Sequence, residues 1–297
     1  MKAAVIHEYG GPEVFRYEDY PDPVLKSDQV LVRVVAAGVN PVDALERSGE
    51  TKAWRPIQFP GVLGWDFSGT VEKLGSGAEG FSVGDQVLAW AYHTYAELCA
   101  VQAGLLARVP KSMSLADAAA LPLVTMTGSQ LIYAVAEVKP GQTVLVSGAG
   151  GSVGRSAVFA AKDRGASVIA GVLRKQLDAV NDFGADRVVA LDDPAALADL
   201  PKVDVVANTV RGKTAEHLMG KVKDGGIFAS VTGTPVDAAT YPQVRAVAFV
   251  SKLRGHDMKF VECASGGGGD EAFPDSGGAT RAQLMRSRIP SIEAADY

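Results

Sequence analysis

The feature that most limits what this chain can become is the stretch Thr143 to Gly154, Thr-Val-Leu-Val-Ser-Gly-Ala-Gly-Gly-Ser-Val-Gly. A β-branched run ends abruptly in glycines, and a small, apolar run from Ser156 to Lys162 follows. That order reads as a strand, a tight turn and a helix start. Gly148, Gly151 and Gly154 recur at three-residue spacing. Such glycines let the backbone turn sharply, let a diphosphate approach the amides and let the helix pack close to the strand. The free N–H groups at the helix start then face the anion, so Gly150, Ser152 and Val153 belong to the same cradle. A plain strand-to-helix turn carries similar glycines. The dinucleotide reading gains from a second apolar run, Ser167 to Leu173, which completes a βαβ unit of the expected length.

The rest of the chain falls into place around that unit. A length of 297 residues suggests two domains. From Met1 to about Pro110, short strands are expected at Val30–Val35, Gly69–Leu74, Gln86–Trp90 and Tyr95–Val101. Gly-Pro, Pro-Asp and Gly-Asp turns separate them. Val30–Val35 shows little alternation and is expected to be buried. Many short strands without long helices suggest an antiparallel, barrel-like domain over residues 1–113. The pattern changes at Ser114. Ser114-Leu115-Ala116-Asp117 resembles a capping box ahead of an alanine-rich helix. Pro122 should stop that helix, and another should carry on to about Glu137. After the glycine turn, helices are expected at Gln176–Phe183, Ala195–Leu200 and Thr214–Lys221. Strands are expected at Arg187–Leu191, Val203–Ala207, Ile227–Val231 and Val244–Val250. This alternation is the mark of an α/β domain with a doubly wound parallel sheet, placed at residues 114–252. Residues 253–297 form an atypical tail. Its stretch Ser265–Gly278 reads as loop or disorder, and Arg281–Arg288 as a short polar helix.

Charge and composition exclude some functions. A formal charge of −5 gives no basic footprint for nucleic acid. No apolar run is expected to reach the length of a membrane span. The N-terminus meets Lys2 and Glu8 too soon for a signal peptide. Cys99 and Cys263 could pair, but two isolated cysteines fit reduced thiols and a cytoplasmic protein better. With no cysteine cluster, and His7, His93, His217 and His256 scattered, no metal site is expected.

The choice of dinucleotide can be argued directly. Folds that bind NAD usually place a carboxylate at the end of the second strand to hold the ribose 2′-OH. Here that strand ends Val172-Leu173-Arg174-Lys175, with two cations and no acid. Arg174 and Lys175 would suit a 2′-phosphate, one as a fork and one as a point charge. The competing reading is a solvated helix start. The residues point to NADPH. Asn208 ends one predicted strand, and Ser230 and Thr232 end the next, on the edge where open α/β sheets bind ligands. His93 and Tyr95 lie in a strand region, with a structural reading beside a catalytic one.

By this point several stretches resemble a known family. They are Gly38-Val39-Asn40-Pro41-Val42-Asp43, Pro60 to Gly69, Val83-Gly84-Asp85-Gln86-Val87, Tyr95-Ala96-Glu97, and Leu121-Pro122-Leu123 ahead of Thr127 and the glycine turn. In this order they resemble the zinc-independent medium-chain dehydrogenase/reductases of the NADPH:quinone oxidoreductase, zeta-crystallin-like, type. The resemblance covers roughly residues 1 to 250. It implies a GroES-like first domain and a Rossmann second domain. It also implies an NADPH-dependent reductase that passes hydride, without metal, to a quinone or to the activated C=C bond of an enone or enal. Zinc-dependent relatives carry a cysteine in the early loop and Gly-His-Glu in the second motif; here Asn40 and Gly64-Trp65-Asp66 stand there. The resemblance makes Asn40 and Thr127 contacts to the nicotinamide half of the cofactor, and leaves Asn40 and Tyr95 as candidates for catalysis. Asn40 also reads as a turn former, and Thr127 as a helix-surface residue. Tyrosines that line the family's pocket are replaced by Leu45 and by Lys52-Ala53-Trp54, which implies a more apolar mouth. A tyrosine near the adenine is replaced by Leu191. A homodimer is implied, paired through an open sheet edge near Val244–Val250. The tail departs from the family's returning helix and strand; a shifted reading frame, a truncation or real divergence would each produce such an ending. The alternative function is a non-catalytic NADPH-binding protein, a sensor or a crystallin-like structural protein.

Overall fold

The computed structural model describes residues 1–180, 183–235 and 237–253. Contacts divide it into two compact units, Met1–Leu123 and Val124–Lys252. The expectations for Ser265–Gly278 and Arg281–Arg288 fall outside the described residues.

The first unit is built from β1 (Lys2–Ile6), β2 (Phe15–Asp19), β3 (Gln29–Gly38), α1 (Pro41–Ser48), β4 (Gly61–Val62), β5 (Asp66–Leu74), β6 (Gln86–Trp90), β7 (Leu98–Gln102), β8 (Ala107–Arg108) and α2 (Leu115–Ala118). The strands form one sheet in the order β2-β1-β4 and a second in the order β7-β3-β5-β6-β8. Every pairing in both is antiparallel, as the short strands and turn pairs suggest. The larger sheet packs a core of Val30, Val32, Phe67, Val71, Val87, Ala89 and Val101.

Three details differ from the sequence reading. The strand at Val30–Val35 is buried on one face only: Val30 and Val32 are fully covered, whereas Arg33 is exposed. Tyr95 and Ala96 precede β7 rather than open it, and Ala96 makes an isolated bridge to Ala3. The stretch after Gly38 is a helix rather than a loop from Pro41 onward. Pro41 starts α1, and Gly49 ends it in the left-handed conformation at φ 84°. Apolar periodicity could not reveal this helix, because the buried residues on it are Asp43 and Glu46.

α2 is capped as expected, with the Ser114 hydroxyl accepting from the Asp117 N–H at 3.1 Å. The composition changes at Ser114, yet contacts keep α2 with the first unit. The Ser68 hydroxyl donates to the Leu115 carbonyl, and the Leu123 N–H donates to Asp66 Oδ1 at 2.8 Å. α3 (Pro122–Gln130) opens on the proline and passes into a π-helical turn at Leu131–Val135. The run Leu115–Val135, at 21 residues, does have the length and apolarity of a membrane span, which corrects the expectation that no run reaches it. About two thirds of that window, 67%, is buried inside the protein, and Pro122 breaks it, so the run reads as core.

The second unit holds β9 (Thr143–Ser147), α4 (Ser152–Asp163), β10 (Ser167–Val172), β11 (Arg187–Ala190), α5 (Pro194–Ala198), β12 (Val203–Asn208), α6 (Lys213–Met219), β13 (Val222–Ser230) and β14 (Arg245–Ala248). All six strands are parallel, in the order β11-β10-β9-β12-β13-β14. The order reverses between β9 and β12, which defines a doubly wound sheet and places its ligand crevice at the carboxyl ends of those strands. Leu145, Ile169, Val206, Leu218, Met219 and Phe228 form the core of this unit. The strands are apolar without alternation because a parallel sheet is covered on both faces.

The helix expected over Gln176–Phe183 does not form as an α-helix. The Gln176, Leu177, Ala179, Val180 and Phe183 N–H groups each donate to the carbonyl three residues back. The Gln176 carboxamide also accepts from the Leu173 N–H at 3.1 Å, which fastens the first turn. The segment is thus a chain of tight turns, with residues 181 and 182 outside the description.

Candidate functional site

In the second unit the site is built around the turn from β9 to α4. Gly148 has φ 66°, a conformation that excludes most side chains. Gly154 lies against the preceding turn, where a Cβ would meet the Gly148 carbonyl carbon at 2.7 Å and Ala149 Cα at 2.8 Å. The glycine spacing therefore reflects close backbone approach. Gly151 caps α4 without a side-chain bond. The Arg155 N–H donates to the Gly151 carbonyl at 2.9 Å. The amides of Ser152, Val153 and Gly154 precede that bond, so the helix offers them no acceptor. They form an open main-chain cradle at the positive end of the helix, beside Gly150 and Gly151, whose own N–H donates to the Gly148 carbonyl at 2.9 Å, and these three donors fit a diphosphate.

The sequence reading passed over Arg155. Its Nε donates to the Gly150 carbonyl at 3.2 Å, and its guanidinium stacks 4.5 Å above the Phe183 ring. Burial lowers its pKa. A cation in the first turn of a helix runs against the macrodipole, and that oddity was the available signal.

Asn208, Ser230 and Thr232 do meet at the strand ends, and they bond chiefly to one another. The Asn208 Nδ2 donates to the Val210 carbonyl at 2.8 Å, to Ser230 Oγ at 2.9 Å and to Thr232 Oγ1 at 3.2 Å. Its Oδ1 accepts from Ser147 Oγ at 2.7 Å. Thr209 closes the ring, its hydroxyl donating to the Ser147 carbonyl at 2.7 Å. Asn208 and Ser230 are fully buried, so these two side chains lock the ends of β9, β12 and β13 in place. Thr127, on α3, is also buried, and its hydroxyl donates to Ser251 Oγ at 3.1 Å.

Arg174 and Lys175 follow the end of β10, where a 2′-phosphate would sit. Gln176 packs beside Gly150, which draws this strand end to the glycine turn. Leu191 is buried, just past the end of β11.

The first unit contains a nest of buried ionisable groups around Asn40. The Asn40 N–H donates to Asp43 Oδ2 at 2.7 Å, and its Nδ2 donates to Asp66 Oδ2 at 2.9 Å. Burial pushes Asp43 up to about 6 and Asp66 up to about 7. The Tyr95 hydroxyl is driven far above its ordinary range, first by burial and then by the Asp43 charge. Thr94 and Tyr95 line a shallow groove of about 460 Å³ with Phe15, Tyr17 and Val39. His93 has φ 65°, and its Nδ1 lies 2.8 Å from the Val62 carbonyl. Trp65 stands where zinc-dependent proteins carry histidine. Its indole N–H donates to Glu46 Oε2 at 2.8 Å. Arg55 pairs with Glu46 and lies 4.6 Å from the Trp65 ring centre and 3.7 Å from that of Tyr92. An amide, an indole and a carboxyl bound to the amide make a poor zinc set. Among the described residues no three of His, Cys, Asp and Glu are grouped to hold a metal. Leu45 and Trp54, in place of the pocket tyrosines, are 37% and 62% exposed, so neither is taken up by the core.

Comparison with known proteins bears on the family and the fold. Residues 26–114 match the model of the alcohol dehydrogenase GroES-like domain. The chain is 36% identical over 262 residues to the chloroplastic NADPH-dependent alkenal/one oxidoreductase of Arabidopsis thaliana, covering 83% of this chain and 65% of that protein. It is 31% identical to the chloroplastic quinone-oxidoreductase homolog of Spinacia oleracea, covering 78% of this chain and 74% of that one. The structure of Escherichia coli quinone oxidoreductase complexed with NADPH superposes with a TM-score of 0.74 at 25% identity, over 90% of this chain and 89% of the other. The chain thus spans just under two thirds, 65%, of the length of the first curated relatives it matches.

Proposed function

We propose a reaction for this chain from one established premise: it belongs to the quinone-oxidoreductase family of the medium-chain dehydrogenases/reductases. It is an NADPH-dependent reductase of quinones or of the activated C=C bond of enones and enals. The observation that carries this reading is the open cradle of Ser152, Val153 and Gly154 amides at the switch point of the parallel sheet. These amides hold the diphosphate, with Gly148, Gly150 and Gly151 allowing its approach. Arg174 and Lys175 face the 2′-phosphate, and Arg155 adds positive charge beside the turn. Asn208, Ser230 and Thr232 serve the site by fixing the strand ends that shape it. Asn40 and Thr127 orient the nicotinamide half.

When bound, the cofactor supplies the hydride. The chain's part is to orient the reactants and to supply hydrogen-bond donors where the substrate oxygen gains charge. Backbone amides and water are better donors there than Tyr95, whose hydroxyl is held far above its ordinary pKa. No zinc takes part, because Asn40 and Trp65 replace its ligands and Asp66 is bonded to Asn40. A homodimer forms through β14, which pairs with β13 and leaves its other edge open among the described residues. The protein works in the cytoplasm, where the buried Cys99 thiol, pushed up to about 12, stays reduced.

Titration with NADPH and with NADH, read by the coenzyme's own fluorescence, tests the binding half. A panel of quinones and enones, followed by NADPH absorbance, tests the chemistry. Binding of NADPH with turnover of one panel member is the expected result. Absence of binding defeats the proposal, and binding without turnover on every compound leaves the non-catalytic NADPH-binding protein. A monomeric mass in solution defeats the dimer.

A further inference from the structure

The cations at the end of β10 are not alone there. Arg174 Nη2 lies 2.6 Å from Asp193 Oδ2. The Arg174 backbone N–H donates to Asp192 Oδ1 at 2.7 Å. Both carboxylates follow β11, which runs parallel to β10 in the register Val172↔Ala190, so the two strand ends share one edge of the sheet. Asp193 Oδ1 accepts from the Ala195 N–H at 3.0 Å and so caps α5. Among the described residues Lys175 has no carboxylate partner. Two cations and two carboxylates therefore lie at neighbouring strand ends, where a 2′-phosphate would sit, and the Arg174 guanidinium is already bonded.

We propose that Asp193 is a specificity-determining residue of the coenzyme site. By holding the Arg174 guanidinium, it lowers the preference for the 2′-phosphorylated dinucleotide and leaves Lys175 to carry most of the discrimination. The inference rests on the NADPH reading above. Two physical effects act in the same direction. The phosphate must replace an existing charge-assisted bond on Arg174 instead of making a new one. It also enters the field of a nearby carboxylate of its own sign. Asp192 is a different case, because its bond is to the main chain and its loss would disturb the turn. The pair is exposed enough for salt to screen it: the Arg174 side chain is 67% exposed and that of Asp193 is 26% exposed. The effect should therefore be moderate and depend on ionic strength.

The test is calorimetric titration of NADPH, NADH and adenosine 2′,5′-bisphosphate into the full chain. The bisphosphate carries the phosphate but no nicotinamide, so its binding is read without turnover. Asp193→Asn keeps an oxygen for the Ala195 N–H and removes only the charge. Expected is about a threefold to fivefold gain in affinity for NADPH and for the bisphosphate, with NADH unchanged, the size an exposed ion pair supports. Arg174→Ala should weaken NADPH binding less in the native background than in Asp193→Asn, and Lys175→Ala should be the costlier single change in the native protein. Equal or weaker binding of both phosphorylated ligands by Asp193→Asn, while the native chain binds NADPH, overturns this inference alone. Failure of the native chain and the variant to bind either phosphorylated ligand overturns the coenzyme reading and this inference with it.

Discussion

The two units satisfy buried polarity in opposite ways. In the second unit the polar ring of Ser147, Asn208, Thr209, Ser230 and Thr232 is uncharged, and the cradle beside it is main chain. In the first unit Asp43, Glu46 and Asp66 are carboxyl groups with exposures of 4%, 2% and 1%. A neutral network keeps its shape over a wide pH range. A buried carboxylate depends on its partners and on its protonation state, because isolated charge is costly away from water. The difference implies a second unit whose buried polar ring is insensitive to pH and a first unit whose buried core can be titrated.

The sharpest way to break this contrast is at Arg55. It pairs with the buried Glu46 and stacks on Trp65 and Tyr92. Arg55→Ala leaves the Glu46 charge uncompensated and should cost about 3 kcal/mol of first-unit stability in urea unfolding. Adding Glu46→Gln should restore part of that loss, since the orphaned charge goes with it. If Arg55→Ala unfolds like the native chain, Glu46 is not relying on its partner.

Next in size is the neutral ring. Asn208→Ala removes the partner of Ser147 Oγ, Ser230 Oγ and the Val210 carbonyl. A loss of about 2 kcal/mol is expected, the same at pH 5 and pH 8, because no ionisable group is involved. A loss that changed with pH would erase the distinction between the units.

A third test is the pH dependence of the native first unit. Asp43 and Asp66 are raised from an ordinary 3.8 to about 6 and about 7, in each case chiefly by burial. The folded chain thus holds protons that the unfolded chain releases. This stabilisation is complete below about pH 4 and is lost as pH rises through 6 and 7. The melting temperature of the first unit should fall between pH 5 and pH 8. Asp66→Asn should flatten the dependence even if it lowers the whole curve. A melting temperature that rises over that interval would contradict the assignment.

How far the sequence could be read follows the same division. In the second unit, function and fold share one signal, since glycines packed against backbone must be glycines and buried parallel strands must be apolar. Thr143–Gly154 and the strands after it were therefore legible to within a few residues. The Gln176–Phe183 segment misled because Leu177, Val180 and Phe183 have helical spacing, while side-chain bonding at Gln176 favours tight turns. In the first unit, α1 was invisible to periodicity because its inner face carries Asp43 and Glu46. Asn40 stood out as a residue, but its link to Asp66, 26 positions away, is a product of folding. The same is true of Arg174, whose partner Asp193 belongs to another strand end.

The stacked rings of the first unit also affect how this protein can be observed. The chain's 3 tryptophans are Trp54, Trp65 and Trp90, all before residue 124. Trp65 and Trp90 lie 5.7 Å apart at an interplanar angle of 20°. Two indoles held so close couple their transitions, and the Arg55 cation above Trp65 shifts its emission. Tryptophan emission is thus a spectroscopic reporter confined to the first unit among the described residues. A sample whose second unit had melted alone would still look native by tryptophan emission, although not by near-ultraviolet dichroism, to which Tyr133 and Tyr241 contribute.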